Sequence, residues 1–229
     1  MPEAAERTKE KESRSGVARA ISDPVSRRKF IAVGGGSAAL AAFLAACGGN
    51  GSSTTSTTTM ASKGGSETEQ FGKGDLGILN YALTLEYLES AFYADVVKSG
   101  LFKGAELATI KKFGREESEH VGALTEAVKG AGGKPAAEPK TEFPLEDAKS
   151  VLELAGTVEN LGAAAYLGQA PNIESPEVLA AALAIHSVEG RHAAALNTLL
   201  GESITPDGAF AEPADVKTVL KAVEPFIVG

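Results

Sequence analysis

The chain has no tryptophan, one cysteine, two methionines and only three histidines among its 229 residues. A lone thiol forms no internal disulfide, and without a Cys-x-x-Cys pair the thiolate-rich zinc and iron–sulfur sites are excluded. No run alternates apolar and polar residues as a half-buried strand does. Basic residues are outnumbered, 22 Lys+Arg against 30 Asp+Glu, for a net charge of −8. A chain this acidic, with no basic patch in its main body, is not built to bind nucleic acid.

Only one long apolar run is present, Phe30 to Ala46, and it is diluted by Gly34, Gly35, Gly36 and Ser37. It follows 29 polar and basic positions that end in Ser26-Arg27-Arg28-Lys29, and it leads into Leu44-Ala45-Ala46-Cys47. A charged segment, an apolar segment and small residues in that order predict an export signal over residues 1–47. The paired Arg27 and Arg28 resemble the twin-arginine variety. Leu44-Ala45-Ala46-Cys47 resembles a bacterial lipobox, whose cysteine is lipidated and becomes the new N-terminus. The expectation is export, with Cys47 anchoring the protein to a lipid membrane from outside the cytoplasmic membrane. An uncut transmembrane anchor is the alternative, although the run is short for a ~20-residue span.

Removing residues 1–46 leaves 14 Lys+Arg against 25 Asp+Glu, a net charge of −11. Residues 48–70 are mostly Gly, Ser and Thr and read as a flexible tether with a reach of roughly 25 Å. The remainder suits a single domain, residues 71–201, followed by an extension, 202–229.

That domain reads as all-α. Leu79, Ala82, Leu83, Glu86, Ser90 and Tyr93 recur at three- and four-residue intervals, as one face of a helix does. The same spacing marks Ile110, Phe113, Glu117, His120, Leu124 and Val128, then Leu152, Ala155, Glu159, Gly162 and Tyr166. A fourth face carries Leu179, Ala182, Ile185, Glu189, His192 and Leu196, and Ser175-Pro176-Glu177 has the residues of its N-cap and first turn. Residues 132–145 connect the second helix to the third. Extended, they reach at most roughly 46–50 Å, whereas a ~25-residue helix is about 37 Å long. The prediction is a four-helix bundle of two antiparallel hairpins joined by a long crossover. A short helix over Val216, Val219, Leu220 and Val223 is expected to pack on it.

Two of the three histidines belong to a constellation written twice. Glu86 is followed by Tyr93 and then by the Glu-x-x-His pair Glu117 and His120; Glu159 is followed by Tyr166 and then by Glu189 and His192. The first glutamate precedes the second by 31 residues in one half and by 30 in the other. The midpoints, 101.5 and 174, both fall in helix breaks, so each pair stands level across its hairpin. Three residues on a helix turn about 300° and rise about 4.5 Å, so each Glu-x-x-His pair points to one side. Four carboxylates converging in a core need protons or cations. Two divalent metal ions balance four glutamates, and neutral imidazoles complete the set without adding charge. Carboxylate and imidazole without thiolate favour harder ions, iron or manganese, over zinc.

His186, three residues before Glu189, reads either as a further partner of the cluster or as a boundary histidine with its bonds satisfied. Glu89 and Glu153 are expected at the edge of the bundle, and Glu116 and Glu119 in solvent.

These residues resemble the ferritin-like superfamily, which includes bacterioferritin and rubrerythrin. Asn80 through Glu89 and Gly162 through Gly168 look similar to exported bacterial ferritin-like proteins, some called desiccation-related. The resemblance implies that Glu117 and Glu189 bridge two metals, with Glu86 and His120 completing one ion and Glu159 and His192 the other. It also implies that the Tyr93 and Tyr166 hydroxyls bond to ligand carboxylates. The implied chemistry is oxidation of Fe(II), or reduction of peroxide or dioxygen, with a small-molecule oxidant and an unidentified reductant. The rubredoxin module of rubrerythrin is missing, and a lipid tether fits poorly with a closed storage shell. A homo-oligomer is among the open partner readings. Alternatives are a non-enzymatic metal-binding or stress-protective protein, a manganese catalase-like activity, and a metal-free interaction domain.

Overall fold

The computed structural model describes residues 67–228. Arg27, Arg28 and Cys47 lie outside the described residues, as does most of the expected tether. Five helices form: α1 (Asp75–Ser99), α2 (Gly104–Gly130), α3 (Ala148–Gln169), α4 (Pro176–Leu200) and α5 (Val216–Val223). Among the described residues there is no strand, only an isolated bridge between Thr141 and Ile227. None of the described helices is long and apolar enough to cross a membrane.

Local chemistry sets the helix ends. Ser175 caps α4 as its sequence predicts, its hydroxyl accepting from the Val178 amide at 3.3 Å with Pro176 in the first turn. Asp147 caps α3 and forms a reciprocal capping box with Ser150. Gly100 ends α1 in the left-handed conformation, which lets the chain reverse into α2.

The bundle is asymmetric in its burial. Fourteen of the 25 residues of α1 are buried, against five of the 27 in α2. The central position of α1 follows from what covers it. The crossover begins beside Asn80, whose side chain accepts from the Ala136 amide at 2.8 Å and donates to the Lys134 carbonyl at 3.2 Å. It ends higher, where Phe143 meets the Phe92 ring edge-on at 5.2 Å. The connection therefore climbs alongside α1, which makes it the long crossover expected. On another side α5 packs Val216, Val219 and Val223 against Tyr81, Leu85 and Leu88.

That docking depends on Gly168. A Cβ there would lie 2.0 Å from the Ala214 carbonyl oxygen, so the bare α3 backbone is what lets the extension approach. The Ala214 amide donates to the Ala164 carbonyl at 2.9 Å. The fold also starts earlier than expected: residues 67–70 were read as tether, yet Thr68 is buried and Glu69–Phe71 form a 3-10 turn. The Phe71 ring packs on Tyr81, which draws the preceding residues onto α1.

Two apolar layers remain within the bundle. One contains Phe92, Val96, Ile110, Phe113, Val151 and Leu196; the other contains Leu79, Leu83, Leu124, Val128 and Ile185. Burial of each such side chain contributes roughly 1.5–3 kcal/mol. The level between the layers is polar.

Candidate metal centre

Each long helix brings acid to that level: Glu86 on α1, Glu117 on α2, Glu159 on α3 and Glu189 on α4. All four are 0% exposed and His192 is 1% exposed. Donor atoms of Glu86, Glu117, His120 and Glu189 lie within 4.8 Å of one another, as do those of Glu117, Glu159, Glu189 and His192. Glu117 and Glu189 are common to both groups, so the two sets interlock. His120 Nδ1 stands 2.9 Å from Glu117, 3.1 Å from Glu86 and 3.3 Å from Glu189. His192 Nδ1 stands 2.8 Å from Glu117 and 3.2 Å from Glu159.

Both tyrosines of the repeated pattern reach the cluster, and each serves the other half. Tyr166 on α3 donates to Glu86 Oε1 at 2.6 Å, and Tyr93 on α1 donates to Glu159 Oε1. Burial, reinforced by the neighbouring carboxylates, holds both hydroxyls well above the usual phenol range, so they remain proton donors.

His192 is fixed from its far side as well. Its Nε2 lies 2.9 Å from Glu116, which accepts from Lys112 at 2.6 Å, and its ring stacks on Phe113 at 4.0 Å. Glu116 was expected in solvent. It is instead half-buried and bonded, because the outer nitrogen of His192 emerges beside it between α2 and α4. Burial works to raise its carboxyl, but hydrogen bonds from Lys112 and His192 hold it below the usual range.

Glu89 also departs from expectation. It was placed at the bundle edge, yet it is 3% exposed and lies beside the cluster. Because α1 is covered on nearly every side, the position three residues after Glu86 has no edge to occupy. Its sequence signal was available: position 89 is both 86 + 3 and 93 − 4, on the same stripe. His186 is not drawn in; its Nδ1 meets the Ala163 carbonyl at 3.0 Å. Glu153 pairs with Lys149 at the surface, and Glu119 is exposed.

The electrostatics are those of anions forced together. Burial pushes Glu86 up to about 7 despite its bonds to His120 and Tyr166, and pushes Glu159 up too. Burial and then the charges of neighbouring glutamates hold Glu189 and Glu89 well above the usual carboxylate range. Burial alone would lower the histidines. Hydrogen bonds to the glutamates outweigh it, pushing His120 up to about 12 and His192 up to about 10. Glu117 is buried as well, but the His120 and His192 imidazoles standing against it carry it down to about 2.

Those imidazolium charges do not satisfy the cluster. Glu117 Oε1, Glu159 Oε2, both Glu189 oxygens and His192 Nδ1 are buried with no hydrogen-bond partner. Several stand close to one another without hydrogen-bond geometry, as His192 Nδ1 does to Glu117 and Glu159. Buried polar atoms are normally paired. Oxygen and imidazole donors converging in this way can hold metal ions, and they fit carboxylate-bound metals with no thiolate. An apolar cavity of about 420 Å³ is lined by residues of all four long helices, among them Leu79, Leu124, Tyr166 and Ile185.

Residues 74–202, more than half of the chain, match the model of the ferritin-like domain family, and the chain belongs to that family. No curated protein matches it.

Proposed function

We propose that this ferritin-like protein holds two divalent metal ions, most simply iron, and uses them to oxidise Fe(II) or to consume peroxide or dioxygen. The observation that carries the reading is the set of orphaned atoms facing inward from two interlocked groups that share Glu117 and Glu189. In this reading Glu117 and Glu189 bridge, Glu86 and His120 complete one ion, and Glu159 and His192 complete the other. Four carboxylates then balance two divalent cations.

Bound iron supplies electron transfer to a small oxidant, with manganese as the other metal suited to these donors. The protein supplies the setting. Tyr93 and Tyr166 hold one oxygen each of Glu159 and Glu86, leaving the opposite oxygens for the metals. Glu116 accepts a proton-bearing Nε2 from His192, which fixes the tautomer with Nδ1 free to bind. The apolar layers exclude bulk water from the level between them.

The N-terminal pattern supports a location outside the cytoplasmic membrane, with lipid on Cys47 and a tether of roughly 25 Å reach. A role under oxidative or drying stress follows from that position and chemistry. Fe(II) itself is a reductant that fits this reading, and the sequence carries no Cys-x-x-Cys pair.

Elemental analysis of the natively exported protein, followed by Fe(II) and peroxide turnover on the same sample, tests the proposal. Two iron ions per chain with turnover support it, and dioxygen evolved from peroxide would redirect it to catalase chemistry with manganese. The near-complete burial of the donors favours a second reading, a metal held without turnover; a loaded but inert protein would establish that one.

A further inference from the structure

The doubled constellation is broken at one position. Three residues after Glu86, α1 carries Glu89; three residues after Glu159, α3 carries Gly162. Antiparallel packing of α1 and α3 brings these two positions together. A Cβ built on Gly162 would lie 2.8 Å from Glu89 Oε1 and 3.0 Å from Glu189 Oε2. The volume a side chain would fill is therefore bordered by two carboxylate oxygens, one from Glu89 and one from Glu189, the residue common to both donor groups. The charged groups around Glu89 are themselves carboxylates, those of Glu189, Glu86, Glu117 and Glu159. Glu89 is 3% exposed, and among the described residues no cation stands against it, so its charge is costly there.

We propose that Glu89 is a further metal-binding carboxylate, a fifth acidic donor that makes the two halves of the site unequal, and that Gly162 is what opens its path. This rests on the two-ion reading above. Four glutamates match two divalent cations; a fifth leaves one negative charge over, and the half of the site that it joins favours the more highly charged ion. The pseudo-symmetric sequence thus yields two chemically distinct metal positions. Gly162 belongs to the same device, because a Cβ there would crowd the Glu89 and Glu189 carboxylates, 2.8 and 3.0 Å away.

Cobalt(II) is the probe, titrated into the metal-free protein and followed by calorimetry and by its visible d–d absorption, which reports coordination number and geometry. The natural protein is expected to bind two Co(II) ions with unequal affinity. Glu89→Gln should still bind two, with one step weakened about tenfold or more and an altered d–d spectrum. Gly162→Ala, which leaves Glu89 in the chain but fills its place, should do the same. Should Glu89→Gln fail to fold, Glu89→Ala in the same titration decides the matter, because an alanine at 162 would also press on Glu189 Oε2. Variants that titrate like the natural protein, with superimposable spectra, would overturn the role of Glu89 while leaving two ions in place. A natural protein that binds no Co(II) would remove the two-ion reading, and this inference with it.

Discussion

The Tyr166 hydroxyl on α3 donates to Glu86 Oε1 on α1 at 2.6 Å. Tyr93 returns the arrangement from α1 to Glu159 on α3. The two hairpins are thus joined through the donor set itself, with each half orienting a carboxylate of the other.

Removing either hydroxyl should loosen the donor that it orients. Tyr93→Phe and Tyr166→Phe are each expected to weaken metal affinity about tenfold or more, as loss of an outer partner commonly does. Leaving a buried carboxylate oxygen unpaired also costs about 1–3 kcal/mol. Competition with a chelator, together with circular dichroism to confirm the fold, checks both values. Unchanged affinity in both variants would show that the cross-pairing is incidental.

Glu116→Ala should act on one half only. It releases His192 Nε2 while leaving the Phe113 stack in place, so one ion should weaken about 10–100-fold and the other little. Stepwise metal titration reads the difference. Equal weakening of both ions would contradict a role confined to His192.

Stability and metal binding should respond to pH in opposite directions. Glu86, at about 7, and the raised Glu159, Glu189 and Glu89 keep protons in the folded metal-free protein that the unfolded chain releases near about 4.3. The Glu86 contribution is present at low pH and is lost as pH rises through about 7, and those of Glu159, Glu189 and Glu89 fall in the same direction. His120 and His192 extend the same trend. Their contribution is full below the ordinary value of about 6.5 and is lost as pH rises through about 10 and about 12. Glu117 works the other way, its contribution lost as pH falls through about 2, and the lowered Glu116 acts in the same sense. The Tm of the metal-free protein should therefore fall between about pH 5 and about pH 9. Metal must displace these protons, so its affinity, and the Tm gain on loading, should grow over the same range. Paired melting curves with and without metal test both signs.

Gly168→Ala should separate the extension from the site. The new Cβ cannot coexist with the Ala214 carbonyl 2.0 Å away. Displacing residues 213–228 is expected to cost about 1–3 kcal/mol, as overpacking does. A lowered Tm with unchanged metal stoichiometry is the expected pair of results. Loss of metal as well would mean that α5 supports the donors through Tyr81 and Leu85.

Periodicity was enough to place the six candidate donors on helical stripes, since Glu86, Glu117, Glu159 and Glu189 stand where Leu or Ala would otherwise pack. It also marked the Ser175 cap and the crossover, whose length has no other use in a bundle. The neighbours of the cluster were harder to read. Glu89 satisfies the spacing of its stripe, but its burial depends on how many elements cover α1, a tertiary property that no single helix displays. Glu116 stands at 113 + 3 and 120 − 4, on the flank of its stripe, and was expected in solvent. It matters because a histidine has two nitrogens, and the outer one of His192 must end somewhere. Residues 67–70 resemble the tether in composition and differ only in the contacts that Phe71 and Thr68 make after folding.

The most direct test of the central claim is metal content per chain in the purified, natively exported protein and in its Glu117→Ala, Glu189→Ala double variant. The account predicts two metal ions in the natural protein and none in the variant, whose helical fold should persist. A natural protein with no metal, or a variant that keeps both ions, would contradict it.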